Sequence, residues 1–230
     1  MKKLFIIFGV VLIGVYILLS LLDTSDYTAE RKFWVVNNQY KKLVSNPDAV
    51  PDYQFEQIIL RYTKIIQSYP KAKLTPWIYL QIGNVYLMRK DFAKARERYL
   101  KAIDNYPENQ ELHAEALAAT AQTYERENNG AEALRIYEKI QKEYPLTITG
   151  FNMPLYIASY YQRKAELPQA KKALDRAISY YKNISSQYPN SPLEFNAWKL
   201  LATCYFQREN WQEGVETLGK LLNKIGRAHV

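Results

Sequence analysis

The chain has 230 residues, of which 48 % are hydrophobic and only eight are glycine, with 20 tyrosines and a net charge of +8. That apolar share excludes a disordered tail, and scarce glycine beside abundant Ala, Leu, Lys, Glu and Tyr favours helices over a turn-rich β fold. The positive excess could suit an anionic partner such as an acidic peptide or lipid head groups, but acids and bases interleave along most of the chain, which favours a solvated surface with a basic bias; no nucleic acid is expected.

The N-terminus carries Lys2 and Lys3, then nineteen uncharged residues from Leu4 to Leu22, closed by Asp23. A helix of that length reaches roughly 28 Å, close to the hydrocarbon thickness of a bilayer. A cleaved signal peptide and an uncleaved anchor compete for this run. It is longer than the roughly 7–15 apolar residues of a signal core, and Ser20-Leu21-Leu22-Asp23 lacks a small-x-small cleavage pattern. No cysteine follows it to accept a lipid. Residues 1–22 are therefore read as a single-pass transmembrane anchor. Two lysines precede the span, and Asp23 and Asp26 are the first charges after it. The positive-inside bias then puts the N-terminus in the cytoplasm and the rest of the chain in the periplasm or outside the cell.

Residues 23–75 read as a divergent helix pair. Phe33, Val36, Tyr40 and Leu43 fall on one side of a helix over Tyr27–Ser45, Asn46–Asp52 is a loop, and Gln54–Tyr69 is the second helix, ended by Pro70. Beyond it the dipeptide Tyr-Pro recurs at Tyr69, Tyr106, Tyr144 and Tyr188, at intervals of 37, 38 and 44. Tyr86, Tyr124, Tyr161 and Tyr205 form a second series, each 16 or 17 residues after a Tyr-Pro proline. Two interleaved series with matched spacing mark internal repeats.

The unit from Pro76 to Pro107 is the clearest. Tyr79, Ile82 and Gly83 precede Tyr86, and Ala95, Tyr99 and Ala102 follow. Small Gly83 and Ala95 let the two helices approach, with Tyr86 and Tyr99 filling the space beside them. The second unit runs through Leu117, Ala121, Tyr124, Ala133 and Tyr137, the third through Ile157, Ala158, Tyr161, Ala170, Leu174 and Ala177. The fourth has Trp198, Leu201, Ala202 and Tyr205, with Gly214 and Leu218 in the places of the second-helix alanine and aromatic. In the third unit Tyr161 and Pro189 are 28 residues apart, against 21 in the first two, so its second helix gains two turns without changing face. Thr75-Pro76 and Ser191-Pro192 place a capping hydroxyl before a first-turn proline; Leu167-Pro168 starts another helix, and Asn210 can cap the last.

This pattern resembles the tetratricopeptide repeat (TPR), with its aromatic-x-x-Leu-Gly-x-x-Tyr first helix and Ala-x-x-x-aromatic-x-x-Ala second helix. The Tyr-Pro closures are similar to those of periplasmic TPR proteins. The resemblance implies an all-α fold in which four repeats over residues 76–224 follow the divergent pair as a right-handed superhelix of about five helix pairs. It also implies a concave, protein-binding groove lined by the first helix of each repeat. Asn84, Gln122, Ser159 and Thr203 would form its central row. Met88, Arg126, Arg163 and Gln207 come one turn later, and Leu80 and Lys199 one turn earlier, level with Ala118 and Leu155. Arg126 and Arg163 suit an acidic segment of a protein or peptide partner, with Lys164, Lys171, Lys172 and Arg176 adding positive potential. The competing reading pairs both arginines with neighbouring carboxylates such as Glu125 or Glu127. The Lys-and-Asn clamp by which some TPR domains hold C-terminal carboxylates is not reproduced.

Catalytic chemistry is not indicated. His113 and His229 are the only histidines, and no His/Cys cluster, phosphate loop or nucleophile elbow occurs. No enzyme activity, cofactor, metal or small-molecule substrate is therefore expected. Cys204, the single cysteine, sits in an apolar helix and reads as a buried thiol. The last six residues, Ile225 to Val230, match one reading frame of a common sequencing adapter, and the expected helix-ending proline is absent at Gly226. A non-native tail on a truncated chain is the expectation, leaving Trp211, Val215, Leu218 and Leu222 as an uncovered apolar face on the last helix. The functional expectation is a membrane-tethered interaction scaffold at the cell envelope. The alternatives are a structural subunit of an envelope assembly, or the non-catalytic part of a longer enzyme.

Overall fold

The computed structural model describes residues 25–228; the anchor read at residues 1–22 and His229 lie outside them. The described chain is all-α, ten α-helices and one 3-10 turn. None of these helices is long and apolar enough to cross a membrane. The chain divides into two compact units, with the boundary between Tyr106 and Pro107.

The first unit holds α1 (Ser25–Val44), a 3-10 turn (Pro47–Ala49), α2 (Asp52–Ser68), α3 (Thr75–Met88) and α4 (Phe92–Asn105). Each helix packs on the next. Its core joins Ala29, Val36 and Tyr40 of α1 to Phe55, Ile58, Tyr62 and Ile65 of α2 and to Ile78, Ile82 and Val85 of α3. Gly83 has no room for a side chain, because a Cβ there would stand 2.3 Å from the Tyr99 ring. This is the close approach that the Gly83 and Tyr99 positions predict.

The second unit holds α5 (Gln110–Arg126), α6 (Gly130–Glu143), α7 (Ile148–Arg163), α8 (Leu167–Gln187), α9 (Pro192–Gln207) and α10 (Trp211–Ala228). The pairs α5–α6, α7–α8 and α9–α10 are each packed together, and α7 bridges to α5, α6 and α9. The core runs through Ile136, Tyr137, Ile140, Phe151, Ile157, Leu174, Tyr181, Leu201 and Cys204. The backbone of α10 stays helical through Ala228.

Both tyrosine series have a mechanical role. Tyr69, Tyr106, Tyr144 and Tyr188 are each the C-cap of a second helix, because the proline that follows disfavours helical geometry in the residue before it. The carbonyls of Tyr86, Tyr124, Tyr161 and Tyr205 accept from the amide five residues on, at 2.8–3.0 Å, closing the turn between the paired helices. Each such turn has three residues, and its middle one, Lys90, Asn128, Ala165 or Glu209, has φ between 58° and 62°. The repeated turn is thus left-handed at one residue and built four times without glycine.

Two sequence expectations need correction. Thr75 does not cap α3: it is the first helical residue, Leu74 precedes it, and the Thr75 hydroxyl donates instead to the Tyr69 carbonyl at 2.6 Å. Leu167 starts α8 as expected, with Pro168 in its first turn. The aromatic place of the third repeat, assigned to Leu174, is also filled by Tyr181. Tyr62, Tyr99, Tyr137 and Tyr181 each lie seven residues before a Tyr-Pro tyrosine and are essentially fully buried. The two extra turns of α8 lie on the N-terminal side of Tyr181, so the register holds when counted back from the helix end. Ser191 caps α9 as expected, accepting from the Glu194 amide at 3.2 Å.

Candidate functional site

Seven of the ten predicted groove residues lie in the second unit: Gln122 and Arg126 on α5, Ser159 and Arg163 on α7, and Lys199, Thr203 and Gln207 on α9. Because α7 packs against both α5 and α9, three first helices stand side by side. Gln122, Arg126, Arg163, Lys199 and Gln207 are exposed, whereas Ser159 and Thr203 are half-buried. The Thr203 hydroxyl donates back to the Lys199 carbonyl at 3.0 Å.

Arg163 is held by its surroundings. One guanidinium nitrogen lies 3.8 Å from Glu125 Oε2, and the group sits 5.2 Å from the Tyr156 ring centre and 6.0 Å from that of Tyr160. Glu125 Oε1 accepts from the Tyr137 hydroxyl at 2.8 Å and from Tyr156 at 3.3 Å. Burial, then hydrogen bonding to Tyr156 and Glu125, pushes the Tyr137 phenol far above its ordinary range. Burial foremost, with Glu125 second, also raises Tyr160. Both phenols are therefore neutral at any ordinary pH. The aromatic wall orients the guanidinium while leaving the Arg163 side chain 51 % exposed, able to donate to an incoming carboxylate. Arg126 is exposed at the end of α5 and makes no ion pair among the described residues.

Pairing with a neighbouring carboxylate such as Glu125 or Glu127, weighed in the sequence as the plainer fate of both arginines, is seen for Arg163, with Glu125. Sequence reasoning misses the aromatic support. Its signal is present in the i, i+4, i+7 spacing of Tyr156, Tyr160 and Arg163, which stacks three side chains on one helix face.

The other three predicted residues belong to the first unit and serve its packing. Leu80 is 3 % exposed and so cannot line an open groove. The Asn84 side chain accepts from the Tyr99 hydroxyl at 2.8 Å and its carbonyl from Tyr40 at 3.2 Å. Met88 packs on the apolar core. A small-to-large pattern in sequence does not separate the inward row of a helix from the row beside it, which is why the reading misplaces Leu80.

Among the described residues no group of His, Cys, Asp and Glu could hold a metal. Cys204 is buried, and burial pushes its thiol up to about 12, so it is an unreactive core residue. His113 is buried beside Tyr144, its Nδ1 3.5 Å from the hydroxyl.

Residues 80–146 and 157–224, more than half of the chain, match the tetratricopeptide repeat family model. No curated protein matches the chain. Among solved structures, a putative kinesin light chain with nearly identical TPR-like repeats from Podosopora anserina is 14 % identical, with a TM-score of 0.48 over 90 % of this chain and 97 % of that one. A point variant of that protein is 11 % identical, with a TM-score of 0.47 over 90 % and 99 %. BtubC (BKLC) from P. vanneervenii is 15 % identical, with a TM-score of 0.45 over 91 % and 92 %.

Proposed function

Because this chain belongs to the tetratricopeptide repeat family, we propose that it is a protein-binding scaffold tethered to the cytoplasmic membrane by residues 1–22, its repeats facing the periplasm or cell exterior. The face of α5, α7 and α9 receives an extended protein segment carrying carboxylates. One observation carries this reading: Arg163 is pre-oriented on Tyr156 and Tyr160 yet half open to solvent, with Arg126 exposed on the neighbouring helix. A pre-oriented cation loses less freedom on binding than a mobile one. No catalysis is assigned to it.

The test is recovery of protein partners from solubilised membranes by wild type and by R126A/R163A, at low and moderate salt. Losing two charge-assisted contacts should lower recovery about tenfold or more, and added salt should narrow the difference. Equal recovery by both proteins moves the binding site off this face.

A structural role in an envelope assembly is the second reading, favoured by Trp211, Val215 and Leu222 of α10, which are 63 %, 64 % and 69 % exposed. A stoichiometric, salt-resistant partner lost on substituting these residues would support it.

A further inference from the structure

A cleft of about 560 Å³ lies between α1 and α2 of the first unit, lined by none of the predicted groove residues. The first half of α1 supplies Thr28, Arg31, Lys32, Val35 and Val36, spaced i, i+3, i+4, i+7, i+8 so that they form one stripe. The last two turns of α2 supply Arg61, Lys64 and Ile65 opposite. The floor is aliphatic, with Val36 6 % and Ile65 3 % exposed, and the rim holds four cations.

Among the described residues no carboxylate lines this cleft. The acids of both helices are engaged or lie outside it. Asp52 and Glu56 face Arg89, at 3.2 and 3.7 Å, and Asp26 accepts from the Lys73 amide at 2.8 Å. Glu30 is exposed and outside the lining. Lys32 stands 4.9 Å from the Tyr69 ring centre, and Arg61 donates to Gln39. Arg31 and Lys64 make no ion pair among the described residues. Four like charges gathered over an apolar floor repel one another, and an anion with an apolar body would relieve that repulsion while covering the floor.

We propose that this cleft binds an anionic phospholipid, its phosphate held by Arg31 and Lys64 between Lys32 and Arg61, its first acyl carbons on Val35, Val36 and Ile65. The location fits a lipid better than a peptide. Tyr27 and Trp34 flank Arg31 on α1 at i−4 and i+3 and are 68 % and 65 % exposed, the amphipathic aromatics favoured at a bilayer interface. Arg31 is nine residues from Leu22, so the chain cannot carry it more than about 32 Å from the end of the uncharged run. This last point rests on the membrane-anchor reading; the chemistry of the cleft does not.

The test uses the full chain in a non-ionic detergent, titrated with dihexanoyl phosphatidylglycerol, dihexanoyl phosphatidylcholine or glycerol 3-phosphate. The anionic lipid should bind about tenfold or more tighter than either of the others, because only it offers charge and chain together. R31Q/K64Q should weaken it about tenfold or more, whereas K41Q/K42Q at the far end of α1 should not. V35E, at a position 44 % exposed, should weaken it by placing an anion in the cleft. Equal binding by wild type and both cleft variants overturns the proposal, as does equal binding of the two lipids. Glycerol 3-phosphate binding as tightly as the lipid overturns the acyl component and leaves an anion pocket. Alkaline extraction of native membranes tests the anchor separately: protein released there defeats the anchor whatever the titration gives, and a null titration defeats the cleft whatever the extraction gives.

Discussion

Lys224, near the end of α10, donates to both carboxylate oxygens of Glu194 at the start of α9, at 2.8 and 2.6 Å, while Glu194 is only 4 % exposed. The same carboxylate accepts from the Asn190 amide at 2.6 Å as Ser191 caps the Glu194 amide. A variant of the capping box, in which Glu194 reaches past the Ser191 cap to the amide before it, is thereby tied to the last helix, and the Lys224 ammonium also lies 5.0 Å from the Trp198 ring centre.

Breaking this pair from one side should cost more than removing it altogether. K224M leaves a buried carboxylate with one amide donor and should destabilise the second unit by about 1–3 kcal/mol. The double variant E194Q/K224M should recover part of that loss, since no charge is then stranded. Urea melting of the single and double variants checks both statements. A double variant no better than K224M would show that the capping geometry, not the charge, dominates.

Ala165 has φ of 58° in the turn between α7 and α8, where an alanine side chain crowds the backbone. A165G should therefore stabilise the protein, by about 0.5–1 kcal/mol once the greater freedom of glycine in the unfolded chain is set against the relieved strain. The urea midpoint should rise with no change in slope. A fall in midpoint would mean that the alanine methyl contributes packing that outweighs the strain.

Alkaline pH should unfold this protein through its buried tyrosines. Burial raises the Tyr180 phenol to about 12 and raises Tyr62, Tyr137 and Tyr181 further. Below the ordinary value of 10.0 both folded and unfolded chains keep these protons, and stability is unaffected. Above it the unfolded chain ionises while the folded chain cannot, so stability falls with each further rise in pH. The phenolate absorbance should appear in two phases: exposed tyrosines first, then the buried group together with loss of helicity. A single smooth phase at constant helicity would mean that the buried phenols titrate in place.

The exposed stripe of Trp211, Val215 and Leu222 should drive self-association of the full chain in mild detergent. W211E/V215E should shift the light-scattering mass to the monomer and leave helicity unchanged. A wild-type protein already monomeric at high concentration removes the support for this face as an interface.

The helix pairs and their repeat are legible in the sequence alone, with helix ends shifted by one or two residues in places, as at Thr75. Those follow from local rules: proline forbids helix continuation at Tyr69, Tyr106, Tyr144 and Tyr188, and small residues at Gly83 and Ala95 permit close approach. It also names Arg163 and its eventual partner Glu125. What it does not resolve depends on distance in three dimensions. Leu80 and Asn84 share a helix with Met88, but only packing against Tyr40 and Tyr99 turns Asn84 into a bracket and sinks Leu80 into the core. Tyr181 takes its buried place because the register of α8 is counted from its end, which the interface with Phe151 enforces through a 3.0 Å bond to the Phe151 carbonyl. The cleft between α1 and α2 is invisible along the chain, since Arg31 and Lys64 are thirty-three residues apart. Charge signs can be read in one dimension, but their convergence over an apolar floor arises only when two amphipathic helices bury their apolar faces and thereby bring their rims together.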